Sequence, residues 1–160
     1  MIHSTNRTKG YTLIELMVVV GIISLLLGLS LNGLYNLIQW NKLNTAAALL
    51  SSELKNTQSM AFYEGVYYKI EFYATFNWPT SSNKYKILKK GNVLYKEIKL
   101  DGVELFKTNF TNNRVNFNPN GSPSMGGTVT LKNKRGKVLY VIMTPVTARV
   151  RVSSKPPENW

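Results

Sequence analysis

The fold is decided by the stretch Lys9-Gly10-Tyr11-Thr12-Leu13-Ile14-Glu15-Leu16, which opens a run without charged residues from Leu16 to Asn41. A run of this length can cross a bilayer, because about 20 mostly apolar residues are enough. A carboxylate inside such a segment is costly, about 2.5 to 3.5 kcal/mol at a helix centre on insertion scales. Glu15 therefore needs a functional reason and is the first candidate site residue.

The residues before the apolar run form a short polar leader, in which Arg7 and Lys9 are the only charges. A secretory signal would place a small-residue cleavage site after its apolar core. Here no Ala-x-Ala site follows the apolar run, and the leader itself ends in Gly10. The positive-inside rule keeps Arg7 and Lys9 in the cytoplasm. The sequence thus predicts a single-pass membrane protein with a cytoplasmic N-terminus and an extracytoplasmic C-terminal domain.

The string Gly10-Tyr11-Thr12-Leu13-Ile14-Glu15-Leu16-Met17-Val18-Val19-Val20 closely resembles the signal of type IV prepilins and pseudopilins. The resemblance implies cleavage after Gly10 by a prepilin peptidase and N-methylation of Tyr11, where phenylalanine is more usual. It also implies that Glu15 pairs with the N-terminal amine of a neighbouring subunit during filament assembly. A contact of Glu15 with its own amine, one helical turn away, is the competing interpretation. The partners implied are other pilins or pseudopilins, the prepilin peptidase, the inner-membrane assembly platform and the membrane.

Apolar residues continue beyond the membrane segment at helical spacing and predict one amphipathic stripe. The stripe consists of Leu43, Ala47, Leu50, Leu54 and Ala61. The prediction is one continuous helix from Tyr11 to Tyr63 that ends near Gly65. Two helices broken near Asn32-Gly33 are the alternative.

The remaining sequence alternates strand-like and turn-like segments and predicts an antiparallel β domain. The predicted strands are Val66–Tyr73, Tyr85–Leu88, Val93–Leu100, Val103–Phe106, Arg114–Phe117, Thr128–Leu131, Val138–Met143 and Ala148–Val152. Asp101-Gly102 predicts a β-hairpin turn, and Lys132–Lys137 predicts a second hairpin tip.

The predicted fold class is α+β and pilin-like, with a long N-terminal helix packed on the β domain. The predicted divisions are a cleaved leader (1–10), a transmembrane and assembly helix (11–40), an amphipathic helix (41–65), a β-rich domain (66–152) and a tail (153–160).

The C-terminal half is similar to the GspH/FimT-type pseudopilin domain. The similarity lies in Val115-Asn116-Phe117, Gly121, Thr128-Val129-Thr130-Leu131, Gly136-Lys137-Val138-Leu139 and Ala148-Arg149-Val150-Arg151-Val152. DNA-binding members of the FimT type contact DNA through a Gly-Arg-x-Arg element, which implies a DNA contact by Arg149 and Arg151. In this chain Ala148 stands in place of the glycine.

Arg149 and Arg151 should project from one face of a strand, with Val150 and Val152 turned toward the core. Four more cations lie in the predicted hairpin tip: Lys132, Lys134, Arg135 and Lys137. Together the six would form one basic end able to bind DNA without sequence preference. The competing interpretation is a solvated strand edge and turn, which we prefer for the tip cations alone.

The overall composition favours an anionic partner and disfavours catalysis. Twenty Lys and Arg residues against eight Asp and Glu give a net charge of +12. There is no cysteine, His3 is the only histidine and Asp101 is the only aspartate. We therefore expect a non-enzyme without cofactor or metal. A minor pilin or pseudopilin of a pilus-like or type II secretion filament is the first hypothesis, and a DNA-binding minor pilin acting in DNA uptake is the alternative.

Overall fold

The computed structural model describes residues 11–75, 83–145 and 147–157. The leader, including Gly10, lies outside the described residues. So does the stretch 76–82, which contains Phe76 and Trp78.

The described residues contain one α-helix, α1, from Leu13 to Glu64. It continues across Asn32-Gly33, which confirms the prediction of a single helix over the alternative of two. Gly65 follows with a φ of +63°, a left-handed conformation that glycine adopts readily and that commonly ends a helix. The chain divides into two compact units between Leu37 and Ile38, so α1 contributes residues to both.

The N-terminal unit presents an apolar surface. Most of its described large hydrophobic residues, among them Leu16, Leu25 and Leu34, are more than half exposed. The helix is long and apolar enough to cross a membrane. The predicted limits of the leader and of the membrane segment stay predictions.

The second unit buries the predicted stripe of α1. Leu43, Ala47, Leu50, Leu54 and Ala61 are each at most 1% exposed. Helical periodicity brings these positions to one side of α1, and that side lies in the hydrophobic core of the unit.

Strands at all eight predicted places form two antiparallel sheets in the described residues. Their bounds are β1 Tyr68–Tyr73, β2 Lys84–Lys89, β3 Val93–Lys99, β4 Val103–Thr108, β5 Arg114–Phe117, β6 Gly127–Asn133, β7 Val138–Met143 and β8 Val150–Ser153. The first sheet has the order β3-β2-β1-β5 and the second β4-β6-β7-β8. Two short 3-10 turns, Lys90–Asn92 and Thr111–Asn113, precede β3 and β5.

The predicted hairpin at Asp101-Gly102 is wrong. β3 pairs with β2, and β4 pairs with β6, so the two strands flanking the turn belong to different sheets. Gly102 does adopt the left-handed conformation expected of such a turn, with a φ of +69°. A turn dipeptide specifies a local chain reversal, but it does not specify which strands then pair. The second predicted hairpin is confirmed, because β6 and β7 pair on either side of their turn.

Candidate assembly site and basic surfaces

The start of α1 is held by a reciprocal contact between Thr12 and Glu15. The Thr12 backbone N–H and hydroxyl both donate to Glu15 Oε2, at 2.9 and 3.0 Å. In return, the Glu15 N–H donates to Thr12 Oγ1 at 3.3 Å. This is a capping box, in which the residue before the helix and the third helical residue satisfy each other's free N–H groups.

Glu15 therefore has a structural task that our sequence analysis missed, although the spacing Thr12-x-x-Glu15 is its signal. The carboxylate remains exposed, as does Tyr11, whose side chain is 92% exposed. Capping within the chain thus leaves the Glu15 carboxylate open to a group from outside. The predicted cleavage site at Gly10 lies outside the described residues, so its role stays a prediction.

The two candidate DNA-binding arginines lie at the start of the last strand. Arg151 is in β8, whereas Arg149 immediately precedes it, and both are exposed. The Arg149 carbonyl accepts a hydrogen bond from the Thr144 N–H at 3.1 Å. Ala148, buried just before the pair, has a φ of +49°. This left-handed conformation is one that glycine adopts without steric cost.

The predicted burial of β8 is half wrong. Val150 is buried, but Val152 is 43% exposed. Val152 pairs with buried Val141 and so shares its face of the sheet. β8 is an edge strand, so each of its inward side chains has a neighbouring strand on one flank only, and on that face Val152 is exposed whereas Val150 is covered.

The prediction that six cations share one end is also wrong. Arg149 lies beside Thr144, just past the end of β7, whereas the basic tip lies before its start at Val138. Six residue steps along a strand cover about 20 Å. The arginine pair and the tip therefore lie toward opposite ends of the second sheet and form two separate basic surfaces.

The basic tip between β6 and β7 is organised by Asn133, which is 4% exposed. Asn133 Oδ1 accepts hydrogen bonds from the N–H groups of Arg135 and Lys137, each at 3.0 Å. Its Nδ2 donates to the carbonyl of Gln39 in α1 at 3.3 Å. Sequence reasoning did not single out Asn133, because its helix partner lies 94 residues away.

Two of the tip lysines lie over aromatic rings. Lys132 Nζ is 4.9 Å from the Phe106 ring centroid, and Lys137 Nζ is 5.3 Å from that of Trp40. Lys134, Arg135 and Lys137 are exposed. The tip is thus a fixed structure on the helix rather than a free turn.

Comparison with known proteins bears on both the N-terminal segment and the fold. Residues 5–31 match the family model of the prokaryotic N-terminal methylation motif. The fold matches a crystal structure of the type IV minor pilin FimU of Pseudomonas aeruginosa with a TM-score of 0.57 and 16% identity, over 74% of this chain and 94% of that one. In signal and in fold, the chain is pilin-like. A second crystal form of FimU matches the pilin-like chain with a TM-score of 0.55 and 16% identity, over 72% of this chain and 98% of that one.

No curated protein matches the pilin-like chain in sequence. At 16% identity the FimU structures establish the fold alone. The methylation motif and the apolar start of α1 support membrane anchoring of this pilin-like chain.

Proposed function

We propose that this chain is a minor pilin or pseudopilin that is assembled through α1 into a type IV pilus-like or type II secretion filament. The observation that carries the proposal is the exposed Glu15 carboxylate at the start of an exposed apolar helix, five residues after Gly10. In this role the chain is a structural subunit rather than an enzyme. Its partners are other pilins, a prepilin peptidase that cuts after Gly10, and the inner-membrane assembly platform.

The proposed assembly contact follows from electrostatics in a low-dielectric environment. Cleavage creates an α-ammonium at Tyr11, which N-methylation leaves charged. A carboxylate removed from water is strongly destabilised unless a cation or hydrogen-bond donors compensate it. Thr12 already supplies two donors to Glu15 Oε2. The Tyr11 ammonium of a neighbouring subunit would supply the cation, so pairing would favour entry of the helix into the filament.

Variants of the capping box can test this contact, because they change the charge of Glu15 and its capping role separately. Glutamine also serves at the third position of a capping box. Glu15→Gln should therefore keep the helix start but lose the charge, whereas Thr12→Ala should weaken the cap and keep the charge. We expect Glu15→Gln to reduce co-assembly with partner pilins as strongly as Glu15→Ala. Thr12→Ala should assemble nearly as well as the wild type.

Membrane insertion provides the control, since all three variants should still fractionate with the membrane. Wild-type levels of Glu15→Gln in sheared filaments would refute the charge-pair contact. If Thr12→Ala lost assembly while Glu15→Gln kept it, Glu15 would have only a capping role.

A second candidate function, DNA capture for uptake, is favoured by the backbone of Ala148. Its φ of +49° supports the view that Ala148-Arg149-Val150-Arg151 retains the backbone of the Gly-Arg-x-Arg element. Both arginine side chains are exposed, and exposed arginines suit contact with backbone phosphates.

The matched test for this function is an anisotropy titration of the full chain with labelled duplex DNA. Arg149→Glu/Arg151→Glu is compared with Lys134→Glu/Arg135→Glu, which changes the net charge equally. We expect only the first variant to lose binding, and wild-type affinity to fall steeply with salt. Equal losses of DNA affinity in both variants would show that net charge alone drives binding and would contradict a specific site at Arg149 and Arg151.

A further inference from the structure

We infer that a basic collar at the start of the second unit, called the globular unit below, binds the phosphate headgroups of anionic lipids. The collar consists of Lys42, Lys134, Arg135 and Lys137, the last of which lies over the Trp40 ring. The inference goes beyond filament assembly but rests on the proposed membrane anchoring of α1.

The collar is assembled by contacts that bring the β6–β7 turn onto the helix. Asn133 joins the turn to the Gln39 carbonyl, and Lys137 Nζ lies over the Trp40 ring. Trp40 is partly buried and packs against the core. The cations of the turn are therefore held beside residues 39 and 40 of α1, within the second unit.

A second turn brings Lys42 into the same region. Lys42 Nζ is 2.9 Å from Asp101 Oδ2, in the connection between β3 and β4. The Lys42 side chain also runs alongside Gly102. Lys134 contributes to lowering the pKa of the Asp101 carboxyl, after the larger effect of Lys42. The two turns thus adjoin, and Gly102 and Lys134 line one cavity between them.

The position of the collar in the chain places it at the depth of lipid headgroups. Trp40 lies at the end of the apolar segment, and Lys42 is the first charged residue after the uncharged run, which ends at Asn41. At 1.5 Å per residue, the 25 residues of α1 in the first unit, 13–37, are about 38 Å long. A bilayer with its headgroup regions is about 40–45 Å thick. Tryptophan is enriched at this interface, and Trp40 occupies the corresponding point.

The chemistry of the collar suits phosphate groups on a surface. Each lysine or arginine near an anionic membrane contributes about 1 kcal/mol, which corresponds to about fivefold in the binding constant. An anionic lipid surface is favoured over DNA because chain connectivity keeps the collar next to the bilayer. Binding would fix the height of the globular unit on the membrane before the subunit is extracted into a filament.

The test uses the full chain reconstituted into vesicles, and the absence of cysteine allows a single label. A fluorophore on Lys99→Cys, an exposed site outside the collar, is quenched by lipids that carry a nitroxide on the headgroup. Vesicles of phosphatidylcholine are compared with a 7:3 mixture of phosphatidylcholine and phosphatidylglycerol. We expect stronger quenching in the anionic vesicles at low salt, and loss of the difference in 0.5 M NaCl.

The matched variants separate position from net charge. Lys134→Glu/Arg135→Glu should lower the equilibrium constant for surface binding by about 30-fold or more, because loss of two cations at about 1 kcal/mol each already corresponds to that factor. Arg149→Glu/Arg151→Glu, toward the other end of the second sheet, should leave the quenching difference intact. Equal effects of the two variants, or no lipid dependence of the wild type, would overturn the inference.

Two further readouts keep the outcomes distinct. Failure of the full chain to float with vesicles would count against membrane anchoring and hence against the proposed function. Normal flotation without a lipid-dependent difference would overturn the collar alone. Selective loss of duplex DNA binding by Lys134→Glu/Arg135→Glu, with no lipid effect, would reassign the turn as a nucleic-acid surface. Because the salt titration uses the wild type, misfolding of a variant leaves the test intact.

Discussion

Ala148 adopts a backbone conformation that residues with a Cβ atom rarely hold. Its φ is +49°, and its side chain is only 4% exposed. In an L-residue the left-handed region brings Cβ close to the following carbonyl oxygen, at a cost of about 1–2 kcal/mol. Glycine avoids that clash but loses more conformational freedom on folding. The position just before the arginine pair therefore carries steric strain.

Relieving this strain gives the first prediction. Ala148→Gly should leave the free energy of unfolding unchanged or raise it by up to about 1 kcal/mol, because lost strain outweighs the entropy of glycine. Ala61→Gly is the matched control, because Ala61 is buried within α1. This variant should have a free energy of unfolding lower by about 1 kcal/mol or more. Urea unfolding of both variants provides the measurement. Equal destabilisation would contradict a strained Ala148.

At the scale of elements, three ion pairs join α1 to residues in and next to β3. The pairs are Lys42–Asp101, Glu53–Lys96 and Glu64–Lys89. Their helix members are spaced by eleven residues, which is close to three turns, so they lie along one side of α1. Lys96 lies in β3, Asp101 follows β3, and Lys89 ends β2 opposite Val93, the first residue of β3. Because these partners descend in number as the helix positions ascend, this part of α1 runs antiparallel to β3.

The sequence predicted the apolar stripe of α1 but not this row of charges. Leu50 and Leu54 repeat at helical spacing and reveal a buried side through local information alone. Glu53 also lies on the buried side, at 7% exposure, but its partner Lys96 is 43 residues away. Pairing over such a distance depends on how β3 lies against α1. Local propensity carries no information about that arrangement.

The Glu53–Lys96 pair gives the second prediction. Glu53 Oε1 contacts Lys96 Nζ at 2.5 Å, while Oε2 is buried without a hydrogen-bond partner among the described residues. Lys96→Met would leave a buried carboxylate uncompensated. We expect a loss of about 1–2 kcal/mol in unfolding free energy, below the 3–5 kcal/mol of a fully buried pair, because the Lys96 side chain is 47% exposed.

Two companion variants define the result for this pair. Lys99→Met removes an exposed lysine from the same strand and should change the unfolding free energy by less than about 0.5 kcal/mol. The double variant Glu53→Leu/Lys96→Met removes both charges and should recover most of the loss. A double variant less stable than Lys96→Met would show that the uncompensated charge is not the cause.

In the molecule as a whole, local sequence signals predict where strands lie but not which sheet each strand joins. Alternation and turn residues predicted strands at all eight places, because these signals act within a few residues. The assignment of β3 and β4 to different sheets escaped prediction, as did the separation of the arginine pair from the basic tip. The sheet assignment depends on strand order, which the hydrophobic core selects from many local possibilities. The separation follows from the length of β7, which runs between the two surfaces, and the predicted strands already implied it.

The charged contacts of the globular unit also determine how its stability responds to acid. Hydrogen bonds from lysines hold the pKa of three carboxyl groups below their ordinary values. These are Glu64 with Lys89, Glu97 with Lys84, and Asp101 with Lys42. A carboxyl group with a lowered pKa in the folded state stabilises the fold above its unfolded pKa. That contribution is lost as pH falls through the lower folded value.

Alkaline pH acts on groups whose pKa is raised. The bond to Glu64 raises the pKa of Lys89, and burial raises the pKa of Tyr68 and Tyr85. Such groups stabilise the fold below their unfolded pKa values, which are 10.0 for tyrosine and 10.5 for lysine. This stabilisation is lost as pH rises through the higher folded values. His3 is the only histidine, and the chain has no cysteine. Few side chains therefore titrate near neutrality.

The third prediction is a broad plateau of stability with a steep acid edge. The thermal midpoint of the full chain in detergent, followed by near-ultraviolet circular dichroism, should stay nearly constant from about pH 5.5 to 9. It should fall below about pH 4.5, where the three paired carboxylates accept protons. Glu64→Gln should have a lower midpoint at pH 7 and a shallower fall between pH 5 and 3, because one of the three groups is gone. A steady decline between pH 9 and 6 would contradict this account, since it would require a titrating group other than these carboxylates, lysines and tyrosines.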